Sequence, residues 1–205
     1  MSPNPAVAVG AGFLALILGV GIGVALESGG DSSATSADAP GPVDIGFSQD
    51  MIVHHEQAVV MAQLVRGRTK DPKVAALANG IVDEQLLDIG AMRGYLALWR
   101  APVLPSGPPM TWMAPGHEHH TEGATAMPGM ATTDELNALR TAKGNALDRM
   151  FLELMLRHHV GGLLMLSDAG EHAAVPAVRS LAARIAFHQQ QETQTLNSLL
   201  AAKKA

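Results

Sequence analysis

The sequence contains no cysteine. That absence removes a disulfide framework, a thiolate metal site and a thiol nucleophile together. Aromatic residues are scarce too, at 3% of a chain that is 47% hydrophobic. Its buried surface must come from Ala, Leu, Val and Met, which favours packed helices over a β-sandwich. Basic residues number 14 against 19 acidic ones, a formal net charge of -5, which gives no basis for a nucleic-acid partner. What is present in excess is 11 Met and 9 His among 205 residues. A chain that avoids Cys while collecting Met and His fits an oxidising compartment, where thiols would be consumed.

Residues 6–26 form a run without a charge. At about 1.5 Å per residue it is long enough to cross a hydrocarbon core of roughly 30 Å. No Lys or Arg precedes it, so orientation is weakly determined. Segment 1–26 therefore reads as a single-pass membrane anchor first and a cleaved signal peptide second. Either way the soluble part lies outside the cytoplasm, membrane-tethered in one case and secreted in the other. Gly19 and Gly23 have the small-xxx-small spacing that could support a homodimer, although chance explains it in so glycine-rich a run. Residues 27–43, rich in Ser, Gly, Ala, Asp and Pro, read as a flexible linker.

The soluble domain is expected over 44–203, with four helices at about 44–68, 72–100, 133–170 and 175–203. Asp71-Pro72 offers an N-cap and a first-turn proline, Thr132 and Glu135 form a capping-box pattern, and Pro176 suits a first turn. Hairpins 44–100 and 132–203 are joined by a loop, 101–131, rich in Met, His, Pro and Gly. A loop that long inside a compact domain is usually functional or disordered.

The two hairpins repeat at an offset of 104 residues. Phe47, Met51, His54, His55 and Met61 return as Phe151, Met155, His158, His159 and Met165. The register continues into the next helix, where Ile81, Gln85 and Asp88 match Ile185, Gln189 and Glu192. A duplicated hairpin covers its apolar face by pairing with its copy, giving an all-α four-helix bundle.

On a helix, residues three, four and seven apart share a face. Met51, His54, His55 and Met61 thus form one stripe, and Met155, His158, His159 and Met165 its equivalent. Imidazole beside thioether suits copper, Cu(I) or Cu(II); imidazole also accepts zinc and other divalent metals. Glu84, Asp88, His188 and Glu192, at matching depth on the second helix of each hairpin, are candidates for additional ligands or for orienting the imidazoles. Phe47, Phe151, Gln85 and Gln189 read as bundle core and interhelix hydrogen bonds, and His172 as a helix-end cation. Small residues after each pair, Ala58 and Gly161-Gly162, would admit a neighbouring helix or leave space for an ion. The loop supplies a second candidate site in Met110, Met113, His117, His119, His120, Met127 and Met130. The bland reading of each set is core packing for the stripes and a solvated linker for the loop.

The doubled Phe-x-x-x-Met-x-x-His-His pattern, each followed by Gln-x-x-Asp/Glu, resembles the bacterial family known as domain of unknown function 305, over residues 44–203. The resemblance implies a ferritin-like four-helix bundle, export, and for some members copper binding and copper resistance. It implies the eight stripe residues as the metal-facing set. The second copy reads Val160-Gly161-Gly162 where the first has Glu56-Gln57-Ala58, so the halves need not bind alike.

Three functions follow. The first is a non-enzymatic copper-binding protein that buffers, sequesters or confers resistance. The second is a ferritin-like metal oxidase; no Glu-x-x-His motif occurs, which argues against di-iron chemistry and leaves a copper oxidase open. The third is a helical interaction module without metal, with the His pairs in packing or pH-sensing roles.

Overall fold

The computed structural model describes residues 39–113 and 127–203. The expected anchor or signal segment, 1–26, and most of the expected linker, with His117, His119 and His120 of the loop, lie outside the described residues. Within them the chain is an all-α bundle of five helices: α1 (Pro42–Val65), α2 (Pro72–Leu98), α3 (Thr133–Thr141), α4 (Gly144–His172) and α5 (Pro176–Ala202). Among the described residues no helix is long and apolar enough to cross a membrane.

The helix starts follow local chemistry. Asp71 caps α2 by accepting from the backbone N–H groups of Lys73 and Val74, with Pro72 in the first turn. Thr132 and Glu135 make the reciprocal capping box of α3. α1 begins at Pro42, earlier than the expected 44, because the Asp44 carboxylate reaches back to the Gly41 N–H at 2.8 Å.

One expected helix, 133–170, is two. Ala142 and Lys143 are extended and Gly144 has φ +56, so the chain turns a corner before α4. The Arg68 guanidinium, at the end of the first helix, donates to the Leu139 and Ala142 carbonyls that this break leaves without helical partners.

α1, α2, α4 and α5 form the bundle, α1 against α2 and α4 against α5, with α1 and α4 packed together and α2 and α5 meeting along a narrower seam. Two apolar clusters fill it. One gathers Phe47, Met51, Met92 and Met165; the other Met61, Ile81, Phe151 and Met155. The repeat governs the contacts. Residues 104 apart meet each other, His54 with His158 and Glu84 with His188. Contacts inside one hairpin recur in the other, His55 with Asp88 and His159 with Glu192. Together these define an approximate two-fold axis through the His54–His158 pair.

Loop 101–113 is not a solvated linker. Asp50, buried in α1, accepts from the Met110 N–H at 2.6 Å and the Trp112 indole N–H at 2.7 Å. Gln49 donates to the Pro102 carbonyl. Gly46 leaves the space that the Trp112 ring occupies, since a Cβ there would stand 2.4 Å from it. Met110, Met113 and Met127 are thereby buried in the first apolar cluster, with Met130 half-buried beside it.

Candidate metal centre

All four paired histidines are completely buried. The rings of His54 and His158 lie 3.8 Å apart between centroids, tilted 34° to each other, and the His54–His55 and His158–His159 centroids are 6.5 and 6.3 Å apart. The imidazoles form a layer across α1 and α4. Met51 and Met165 lie in the apolar cluster on one side of it, Met61 and Met155 in the other, and all four thioethers are shut from solvent. Because α1 and α4 run antiparallel, each Met pair combines residues from opposite halves of the repeat.

Two hydrogen bonds and one carboxylate contact orient three of the imidazoles. His54 Nε2 donates to the Pro128 carbonyl at 3.4 Å, and His159 Nε2 to Glu192 at 2.6 Å. His55 Nε2 faces Asp88 at 3.5 Å. Nδ1 of His54 and His159 and both ring nitrogens of His55 and His158 are buried without a hydrogen-bond partner. Buried polar atoms are normally satisfied, and a metal-binding imidazole typically donates its second N–H to a carboxylate or carbonyl while leaving one lone pair for the ion. This donor set fits a soft cation on that ground. Among the described residues, however, no three His, Asp or Glu side chains converge as a metal group. The thioethers are the remaining soft donors.

Burial disfavours the charged form of three of these imidazoles. Desolvation, reinforced by His55, pushes His54 down to about 3. His158 is held well below its ordinary value by burial and by its histidine neighbours, and His55 is lowered by burial against the opposing pull of Asp88.

Each carboxylate at matching depth is in contact with a histidine. Asp88 pairs with both His55 and Arg184, the latter at 2.8 Å, and Glu84 pairs with His188 at 2.9 Å on the half-exposed α2/α5 seam. Gln85 and Gln189 correct their expected role: both are buried, yet their side-chain polar atoms bond to nothing. Gln189 instead faces the layer, its Oε1 and the His54 ring lying 3.5 and 3.0 Å from where a Gly162 Cβ would stand. His172 ends α4 and contacts Asp168, away from the layer.

The crossing segment explains why the two copies differ. Gln57 clamps Ala131 with two hydrogen bonds, to its carbonyl at 2.9 Å and from its N–H at 2.6 Å. On α4, Gly161 lets Pro128 and Gly129 lie directly on the helix, where a Cβ would come within 2.3 Å of the Pro128 carbonyl oxygen. Residues 127–131 thus form a strap over His54 and His158. Asp44 and Asp148, not singled out in the sequence, are also 104 apart. Asp44 binds the Ala174 and Val175 N–H groups of the α4–α5 turn, while Asp148 with Asp71 holds Lys203 beside the α1–α2 turn.

A helical bundle made of two related hairpins, each contributing a buried His pair flanked by methionines, is the class that this fold and site define. The chain belongs to the DUF305 family, a domain of unknown function whose model matches residues 44–200. It is similar to a DUF305 protein from Streptomyces coelicolor proposed to be secreted, at 38% identity over 83% of this chain and 96% of that one, TM-score 0.71. A DUF305 fragment from Deinococcus radiodurans is 31% identical over 80% of this chain and 98% of that one, TM-score 0.66. CopM in its Cu(II)-bound form shares the fold at 24% identity, covering 78% of this chain and 96% of that one, TM-score 0.62. No curated protein matches the sequence.

Proposed function

We propose that this chain binds a copper-type ion in the layer formed by His54, His55, His158 and His159, with Met51, Met61, Met155 and Met165 as soft donors, and serves to buffer or sequester it outside the cytoplasm. The observation that carries the reading is the set of fully buried imidazole nitrogens left without partners between two pairs of buried thioethers. Leaving such groups unsatisfied costs about 1–3 kcal/mol each, and a bound ion would offset it. Soft thioether and imidazole donors suit Cu(I), and imidazole also accepts Cu(II) and zinc. CopM, whose Cu(I)- and Cu(II)-bound structures share this fold, supports copper; the secreted character proposed for the Streptomyces relative supports the location.

The role is binding rather than catalysis. The test is a Cu(I) titration against a competing chelator, repeated with Zn(II) and with a His54→Gln, His158→Gln variant whose fold is checked by circular dichroism. Loss of tight Cu(I) binding in the folded variant is expected; unchanged binding would move the site to the loop methionines and histidines. Oxygen consumption during Cu(I) addition would reveal an oxidase instead.

A second reading takes the histidines as structural, in a metal-free interaction module. The close packing of the His54 ring against that of His158 favours it. Melting that ignores Cu(I), Cu(II) and Zn(II) alike would select this alternative.

A further inference from the structure

The α2/α5 seam is asymmetric at one place where the repeat demands symmetry. Along this antiparallel seam Asp88 meets Arg184, and one turn on, Glu84 meets His188. Another turn in the same register sets Gly80 across from Glu192. The repeat matches Asp88 with Glu192 and Arg184 with Gly80, each 104 apart. Both carboxylates back a buried histidine, His55 and His159 respectively. One carries a guanidinium on its outer side. The other has Gly80 at the position equivalent to Arg184, and a Cβ added there would meet nothing within 4 Å.

The consequence is visible at the surface. The Asp88 side chain is 6% exposed and bound by Arg184, whereas Glu192 is 13% exposed and lines an open groove of about 640 Å³. Ala76, Leu77, Gln191 and Thr195 form the walls, with Lys73 at the rim. From that groove a single imidazole, His159, separates the Glu192 carboxylate from His158.

We propose that a cation enters and leaves the buried histidine layer through this groove, received by Glu192 and handed to His159, while Arg184 shuts the equivalent path through Asp88. The proposal rests on the copper-type binding reading above and names its route. A cation in the groove meets a carboxylate first; on the Asp88 side it meets a guanidinium, whose charge repels it and whose bulk fills the approach. Glu192 lies 2.6 Å from His159 Nε2, and the other ring nitrogen of His159, Nδ1, is buried without a hydrogen-bond partner.

The test uses the full chain and installs the missing plug. Gly80 is an exposed helical position with open space beside it, so Gly80→Arg keeps the fold. Stopped-flow loading with Cu(I) delivered as a chelator complex is expected to slow at least tenfold in Gly80→Arg, with stoichiometry and equilibrium affinity unchanged. Arg184→Ala should load no more slowly than the unmodified protein. In the metal-free protein, deuterium exchange at the His159 imidazole Cε1–H, read by mass spectrometry, should slow at least threefold in Gly80→Arg and stay the same at His55. Loading and exchange at the unmodified rates in Gly80→Arg would overturn the route. A chain that takes up no Cu(I) at equilibrium would instead sink the copper reading, and the exchange measurement would still decide whether this groove opens the layer to solvent.

Discussion

Glycines in this chain are not interchangeable, and the difference is measurable one residue at a time. Gly161 touches the strap, with the Pro128 carbonyl oxygen 2.3 Å from the site of a Cβ, whereas Gly90 has nothing within 4 Å. Gly161→Ala must push the strap backbone away, an overpacking cost of about 1–3 kcal/mol. Gly90→Ala should stabilise by about 0.5–1 kcal/mol, through helix propensity alone. Urea unfolding midpoints of the two variants should move in opposite directions; a neutral Gly161→Ala would mean that the strap does not rest on α4. The histidines make a second residue-scale prediction. His54, His55 and His158 have pKa values in the folded chain below the ordinary value near 6.5, with His54 at about 3. Below pH 6.5 the unfolded chain therefore binds more protons than the folded one, and stability falls as pH drops from there toward the folded values. Through His54 the metal-free protein should lose on the order of 1 kcal/mol between pH 7.5 and 5.5, and His55 and His158, lowered as well, add to the loss in the same direction. A flat profile by chemical denaturation would show that these imidazoles are protonated or solvated in the folded state. The His pairs were legible in the sequence because both copies keep them in one register. Gln85 and Gln189 were misjudged, since spacing gives depth on a helix but not the partner a polar group finds there.

At the scale of helices and their joints, caps written in adjacent residues were readable, as Asp71-Pro72 and Thr132-Glu135 show. The corner between α3 and α4 was not. It depends on Gly144 adopting φ +56 and on Arg68, 71 and 74 residues before the carbonyls it binds. A glycine within a helical pattern carries no such message by itself. The strap was invisible for the same reason: Gln57 and Gly161 acquire meaning only when 127–131 crosses them. Asp44 is the strongest joint of this kind. Its buried carboxylate accepts from Gly41, Ala174 and Val175, tying the start of α1 to the turn between α4 and α5. Asp44→Ala leaves those N–H groups without their charged acceptor and should cost about 1–3 kcal/mol. Asp71→Ala, losing the α2 N-cap and one of the two carboxylates that hold Lys203, should cost about 1–2 kcal/mol. Hydrogen exchange would separate them: Asp44→Ala should deprotect the α4–α5 turn as well as the first turn of α1, and deprotection confined to α1 would refute the tie.

For the molecule as a whole, the two hairpins with matching residues 104 apart bring their histidine pairs together in one layer rather than in two separate places. His54 and His158 are equivalent residues in contact, so an ion placed between the halves draws on both hairpins at once. Binding there must couple to the stability of the entire bundle, because unfolding either hairpin dismantles the site. At free Cu(I) a hundredfold above the dissociation constant, the folded state gains about 2.7 kcal/mol. For a domain of this size that corresponds to a rise in melting temperature of roughly 5–10 °C. The rise should vanish in His54→Gln, His158→Gln and should be reversed when a Cu(I) chelator strips the ion. Methionines test the same coupling from a different direction. Met51 and Met165 lie on one side of the layer and Met61 and Met155 on the other, each pair drawn from both halves. Leu at Met51 and Met165 conserves apolar volume, so the metal-free melt should shift by under about 1.5 kcal/mol while the copper-induced rise shrinks. An undiminished rise after all four methionines are changed to Leu would leave the imidazoles as the sole donors, and with them a preference for Cu(II) or zinc over Cu(I).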